Sequence, residues 1–162
     1  PPGLTVFTAS DKALERARSV ENRGYYFDFM EFATNDEKDN TPSTPCISLI
    51  YGLDCQLQRF FAEGLEARWT RHRAMAELTR SWALERGFGL FAPEGARSVT
   101  LTSVANERGV DLAAIKKQLG EKGYAFDDGY GKIKGHTFRI AHMGDLQLAE
   151  LEEFLAVLDG EL

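Results

Sequence analysis

Apolar residues recur at three- and four-residue intervals through Leu49, Leu53, Leu57, Phe60, Phe61, Leu65 and Trp69. That spacing predicts a long amphipathic helix from about 47 to 86. Ala76, Leu78 and Trp82 extend the stripe less regularly, and Gly64 marks a kink or a break in it. Before this helix, Leu4-Thr5-Val6-Phe7-Thr8 has strand character, and Ser10 caps a helix reaching about Val20, with Asp11 in its first turn. Tyr25 to Met30 reads as a short strand or a packed loop, and Thr34 to Asn40 as a surface loop. Thr41-Pro42-Ser43-Thr44-Pro45 is a stiff, extended turn, because two prolines in five residues forbid helix. After the long helix come strands at Phe88–Phe91 and Val99–Val104. Asp111 then caps a helix to about Gly120, with Val110 and Ile115 as its hydrophobic staple. A brief strand at Tyr124–Phe126, a glycine-rich turn at Asp127–Gly131 and a strand at Phe138–His142 follow. Asp145 caps a last helix whose Leu148, Leu151, Leu155 and Leu158 share a face. The order from residue 88 is β, β, α, β, β, α, which predicts an α+β layer with helices on one side of a small sheet.

Composition narrows the function classes. The 162 residues suffice for an ordinary core, and the hydrophobic and charged fractions of 43% and 27% are those of a globular protein. A net charge of −6 and a pI of about 5.1, with no basic stripe, argue against nucleic acid as a partner. No apolar run approaches the roughly 20 residues that span a bilayer. Pro1-Pro2-Gly3 has neither region of a signal peptide and no initiator methionine, so it reads as a cut edge. Cys46 and Cys55 show no metal-ligand spacing. If both lie on one helix they fall on opposite faces, so they are expected to be packed thiols of a reduced, cytoplasmic protein.

The candidate chemistry centres on Arg139, a single guanidinium inside the apolar run Phe138 to Ala141. An arginine in such a strand calls for an anion. Its planar fork suits a carboxylate, either of a small ligand or of a nearby Asp or Glu. Gly129, Gly131, Gly135 and Gly144 surround the strand, as turn residues first and as points of close ligand approach second. Thr41 and Thr44 stand before a helix start, where hydroxyls and free N–H groups suit phosphate. Plain N-capping by Thr44 is the simpler alternative. Arg68, Arg71, His72 and Arg73 form a basic patch, read as a solvated face or as interdomain ion pairs. His136 and His142 lie at odd spacing from Arg139 and so on the opposite strand face.

In this order and spacing, Pro1-Pro2-Gly3, the Thr41–Pro45 turn before a long helix, and Lys134-Gly135 through Arg139-Ile140-Ala141-His142-Met143-Gly144 resemble the C-terminal half of class V pyridoxal-phosphate-dependent aminotransferases. They look like the alanine–glyoxylate and serine–pyruvate branch, over nearly the whole chain. The resemblance implies the end of a large cofactor domain (1–45), a long connecting helix region (46–87) and a small C-terminal domain (88–162) with an antiparallel-rich sheet covered by helices. It implies that Arg139 binds the substrate α-carboxylate. It also implies that Thr44 contacts the phosphate of pyridoxal 5'-phosphate in a neighbouring subunit of a homodimer. Thr41 stands where some relatives carry a tyrosine for that phosphate, and its shorter hydroxyl departs from the pattern. The Schiff-base lysine is expected upstream of Pro1. The chain is then a fragment, inactive alone, of an enzyme exchanging an amino group between a small amino acid and a 2-oxo acid, glyoxylate or pyruvate. A desulfurase on the same fold would need a cysteine after Cys55, and there is none. A non-catalytic dimerisation or interaction module is the other alternative, and exposed apolar surface at the N-terminal strand predicts self-association.

Overall fold

The computed structural model describes residues 3–162. The chain falls into two compact units, Pro1–Ala62 and Glu63–Leu162. Pro1 and Pro2 of the opening turn lie outside the described residues.

In the first unit, residues 4–10 form no strand. A strand needs a neighbour for its N–H and C=O groups, and none of the described residues pairs with this segment. Ser10 caps α1 (Asp11–Arg18), its hydroxyl accepting from Ala13 N at 3.3 Å. The aromatic run is neither strand nor loop throughout. Tyr25–Phe27 make a turn, and Asp28 caps α2 (Phe29–Asp36) by accepting from Met30 N at 2.9 Å. The helix therefore takes in the first residues of the expected loop at Thr34–Asn40. Phe7 stacks on Phe29 at 5.6 Å and meets Phe32 edge-on at 5.7 Å. Within residues 3–62 only Asp28 is buried, and Val6, Tyr25, Phe27, Tyr51 and Phe61 are all well exposed. The apolar stripe of α3 (Ile47–Glu63) buries nothing inside this unit.

The predicted long helix is two helices. Gly64, at φ +86°, ends α3, and α4 (Leu65–Glu85) begins at once. That φ is open to glycine at little cost and to few other residues. The second unit packs α4, α5 (Leu112–Glu121) and α6 (Leu148–Asp159) on one face of a four-stranded antiparallel sheet. Its strands are β1 (Gly89–Leu90), β2 (Leu101–Ala105), β3 (Asp127–Asp128) and β4 (Thr137–Ala141), in the order β1-β2-β4-β3. Val104, Phe138 and Ile140 point into the core, where they meet Trp82, Phe88, Ile115, Leu119, Phe126, Leu151 and Leu155.

Asp111 caps α5 by accepting from Ala113 N and Ala114 N, and Val110 and Ile115 both pack on the core, as a hydrophobic staple requires. Two boundaries differ from expectation. Tyr124–Phe126 is not a strand, because Tyr124 N donates to Leu119 O and closes α5, so pairing waits until Asp127. Asp145 does not cap α6. Gln147 does, with its N–H donating to Glu150 Oε2 at 2.7 Å. The buried face of α6 is Leu151, Leu155 and Leu158, while Leu148 is 37% exposed.

Candidate functional site

Strand parity decides where Arg139 goes. With Phe138 and Ile140 turned into the core, Arg139 and Ala141 occupy the other face of β4. The register places Ser103 of β2 on one side of Arg139 and Asp127 of β3 on the other. Arg139 Nε donates to Asp128 O at 3.2 Å. Among the described residues its two terminal nitrogens have no hydrogen-bond or ion-pair partner. Asp127, the facing carboxylate, is held instead by Lys116 Nζ at 2.6 Å. That hydrogen bond, then the Lys116 charge, pulls the Asp127 carboxyl below its ordinary range, with a further contribution from the charge of Arg139. The pairing of Arg139 with a protein carboxylate, one of the two sequence readings, is therefore not formed. Ser103 Oγ is buried without a partner among the described residues. Beyond the short β3, the open edge of β4 borders a cavity of about 620 Å³ that Arg139, Asp127, Tyr124, Glu150, Glu153 and Phe154 help to line.

The histidines take no part on this face. His142 is fully buried, its Nε2 at 2.9 Å from Thr102 Oγ1, and burial lowers its pKa. His136 is exposed. Gly131, Gly135 and Gly144 take positive φ and serve as turn residues. Gly129 is different, since a Cβ there would lie 2.3 Å from Ile133 O.

The basic patch on α4 is not a solvated face. Arg68 and His72 are buried, and Arg68 Nη2 donates to Gly144 O at 2.8 Å while Nη1 reaches Glu63 Oε2 at 2.8 Å and Asp145 Oδ1 at 3.2 Å. Arg71 grips the other edge of Glu63 (Nε to Oε1, 2.7 Å) and donates to Leu146 O. The two arginines thus pin the turn that follows β4, and Arg73 alone of the three stays exposed. Hydrogen bonding from Arg71, joined by Arg68, lowers the Glu63 pKa to about 2 against partial burial that raises it. A depressed carboxylate stabilises the fold above its unfolded pKa and loses that contribution as pH falls. The urea midpoint should therefore fall between about pH 4.5 and about pH 2. Glu63→Gln should flatten that part of the profile and lower the midpoint at neutral pH. An unchanged profile in the variant would exclude this role.

Thr41 and Thr44 belong to the first unit, Arg139 to the second. Both threonines are exposed, and Thr41 Oγ1 donates to Ser43 O at 2.7 Å. Thr44 is not the cap of α3. Cys46 holds that position, its carbonyl accepting from Leu49 N and Ile50 N at 3.1 Å each, which leaves Thr44 two residues too early. Cys46 and Cys55 are exposed rather than packed, since nothing in their unit covers α3. Among the described residues there is no group of three or more His, Cys, Asp or Glu able to hold a metal ion. None of their helices is long and apolar enough to cross a membrane.

No family model matches the chain. An aminotransferase of Methanocaldococcus jannaschii is 37% identical over 147 residues, 89% of this chain and 38% of that protein. The serine–glyoxylate aminotransferase of Methylorubrum extorquens is 34% identical over 170 aligned residues, covering 100% of this chain and 42% of that protein. The crystal structure of an alanine–glyoxylate aminotransferase from Nostoc sp. superposes with a TM-score of 0.82 at 25% identity, over 94% of this chain and 42% of that one. The chain is similar to class V aminotransferases in both sequence and structure. It corresponds to a C-terminal part of that fold and spans about two fifths of the length of the curated relatives it matches.

Sequence reasoning located the Arg139 guanidinium and missed what surrounds it. Lys116 and Asp127 are eleven residues apart on a helix and an edge strand, and only the register of β3 on β4 brings their pair beside Arg139. Glu63 gave no signal because the carbonyls gripped with it lie more than 70 residues away from the arginines.

Proposed function

We propose that the full-length protein is a pyridoxal 5'-phosphate-dependent aminotransferase that moves an amino group between a small amino acid and a 2-oxo acid, glyoxylate or pyruvate. The observation that carries this is the guanidinium of Arg139, tethered at Nε and with both terminal nitrogens unpartnered among the described residues, on the open face of the sheet. Two parallel N–H donors suit the α-carboxylate common to both substrates. Arg139 would hold that group in each half-reaction and so present the amino or oxo carbon in a fixed orientation. The names of the relatives, serine–glyoxylate and alanine–glyoxylate aminotransferase, support the choice of acceptor.

The residues present suit the cofactor's phosphate. The N-terminus of α3 carries no acidic residue in its first turn, and the exposed Thr44 hydroxyl stands just ahead of it. Thr44, with Thr41 as a second hydroxyl, would hold that phosphate, and the bound cofactor would supply the electron sink for amino transfer. In this reading residues 1–45 finish the large domain, 46–87 connect and 88–162 form the small domain. The chain alone is inactive, because none of its lysines matches the one that carries the cofactor. Pairing of two copies belongs to the same proposal and is supported by the exposed apolar side chains of the first unit. The two unpaired thiols support a reducing compartment such as the cytoplasm.

The test is spectroscopic. The cofactor band of the full-length protein should convert to the pyridoxamine form on adding alanine or serine and return on adding glyoxylate. An amine without a carboxylate should leave it unchanged. A protein that binds no pyridoxal phosphate would instead favour a non-catalytic interaction module.

A further inference from the structure

Three carboxylates line the cavity beside Arg139, and each is occupied by a partner other than Arg139. Glu150 accepts from Gln147 N at 2.7 Å, Glu153 accepts from Tyr124 Oη at 2.8 Å, and Asp127 is bound by Lys116 at 2.6 Å. Asp127 matters most, because it faces Arg139 directly across the β3–β4 ladder. It is also the one of the three that is held by a cation. A guanidinium and a carboxylate at facing positions on one sheet surface are natural partners. Their pairing would fill the donors that a ligand carboxylate needs.

We propose that Lys116 is a positioning residue that draws Asp127 away from Arg139 and so keeps the guanidinium available to the substrate carboxylate. The inference deepens the aminotransferase reading and rests on it. Lys116 lies on α5 next to the buried Ile115, so its backbone is anchored in the core while its ammonium reaches the end of β3. Removing the ammonium would leave Asp127 free to turn to its other cationic neighbour. Substrate would then compete with an internal anion. The penalty falls on binding of amino and oxo substrates alike, since both present the same carboxylate, and leaves the reacting carbon untouched.

The experiment uses the full-length enzyme with its cofactor. Lys116→Met is expected to raise KM for the amino acid and for the 2-oxo acid by about two- to five-fold, the range of an exposed ion pair. The kcat should hold, and the effect should shrink with added salt. Lys116→Arg should restore KM. The double variant Lys116→Met/Asp127→Asn should bring KM back to the parent value or below, because the competing anion is gone. A KM that stays high in the double variant, or never rises in Lys116→Met, would overturn the proposal. Arg139→Lys serves as the separate control. If it leaves both KM values unchanged, the reading of Arg139 has failed rather than the role of Lys116. Equal melting temperatures across the Lys116 and Asp127 variants exclude a folding explanation.

Discussion

Arg139→Ala in the full-length enzyme should lower kcat/KM by about a hundredfold or more for both the amino acid and the 2-oxo acid. Two charge-assisted hydrogen bonds at about 1.5 kcal/mol or more each amount to at least ~3 kcal/mol, and about 1.4 kcal/mol is tenfold in rate. The same substitution should barely alter stability. Arg139 points away from the core, and among the described residues its side chain hydrogen-bonds only to a backbone carbonyl of the short edge strand β3. Arg139→Lys keeps the charge and loses the fork, so it should fall between the two, closer to alanine. Steady-state kinetics with both substrates, set beside a thermal melt, checks this. A kcat/KM within threefold of the parent, with a cofactor-loaded protein, would remove Arg139 from the substrate site.

One residue earlier in the strand the expectation inverts. Phe138→Ala should cost about 3–5 kcal/mol of stability, the usual loss for a buried aromatic whose neighbours cannot close the gap. Phe138 is 1% exposed, with ring centroids of Phe88 at 5.3 Å, Phe126 at 5.4 Å and Trp82 at 6.4 Å. These rings come from α4, the residue just before β1, the segment before β3 and β4 itself, so a hole there loosens the whole second unit. Both tryptophans, Trp69 and Trp82, belong to that unit, and their fluorescence during urea unfolding reports on it selectively. The midpoint should fall sharply, far more than the roughly 0.5–1.5 kcal/mol expected for Ile140→Val on the same face. A loss below about 1 kcal/mol would mean that the cluster repacks around the gap.

Elements governed by local chemistry were legible in the chain. The caps at Ser10 and Asp111 act within three residues of themselves, and Gly64 breaks the long helix through its own φ. The leucine face of α6 and the alternation around β4 follow from periods of 3.6 and 2 residues. Other features were hidden for identifiable reasons. The stripe along α4 looks irregular because its buried face includes Arg68, His72 and Thr79, whose polarity masks the period. Asp28 followed by Glu31 was a helix-start signal obscured by the aromatic run around it. Leu4–Thr8 has strand composition, and composition cannot supply the neighbour a strand requires.

The sequence by itself determined that Arg139 would stand alone in an apolar strand, opposite in facing to Phe138, because side chains alternate along a strand whatever its neighbours are. It also determined the helix starts at Ser10 and Asp111 and the break at Gly64. Only the tertiary structure decided whether that arginine would be spent on a carboxylate of the protein. The register of β3 on β4 sets Asp127 across from it, and the packing of α5 brings Lys116 to Asp127 first. Likewise the fold alone turned Arg68 and Arg71 from an expected surface patch into a clamp on the turn after β4. Charges act over a few ångströms of space, and the distances that matter here connect residues far apart along the chain.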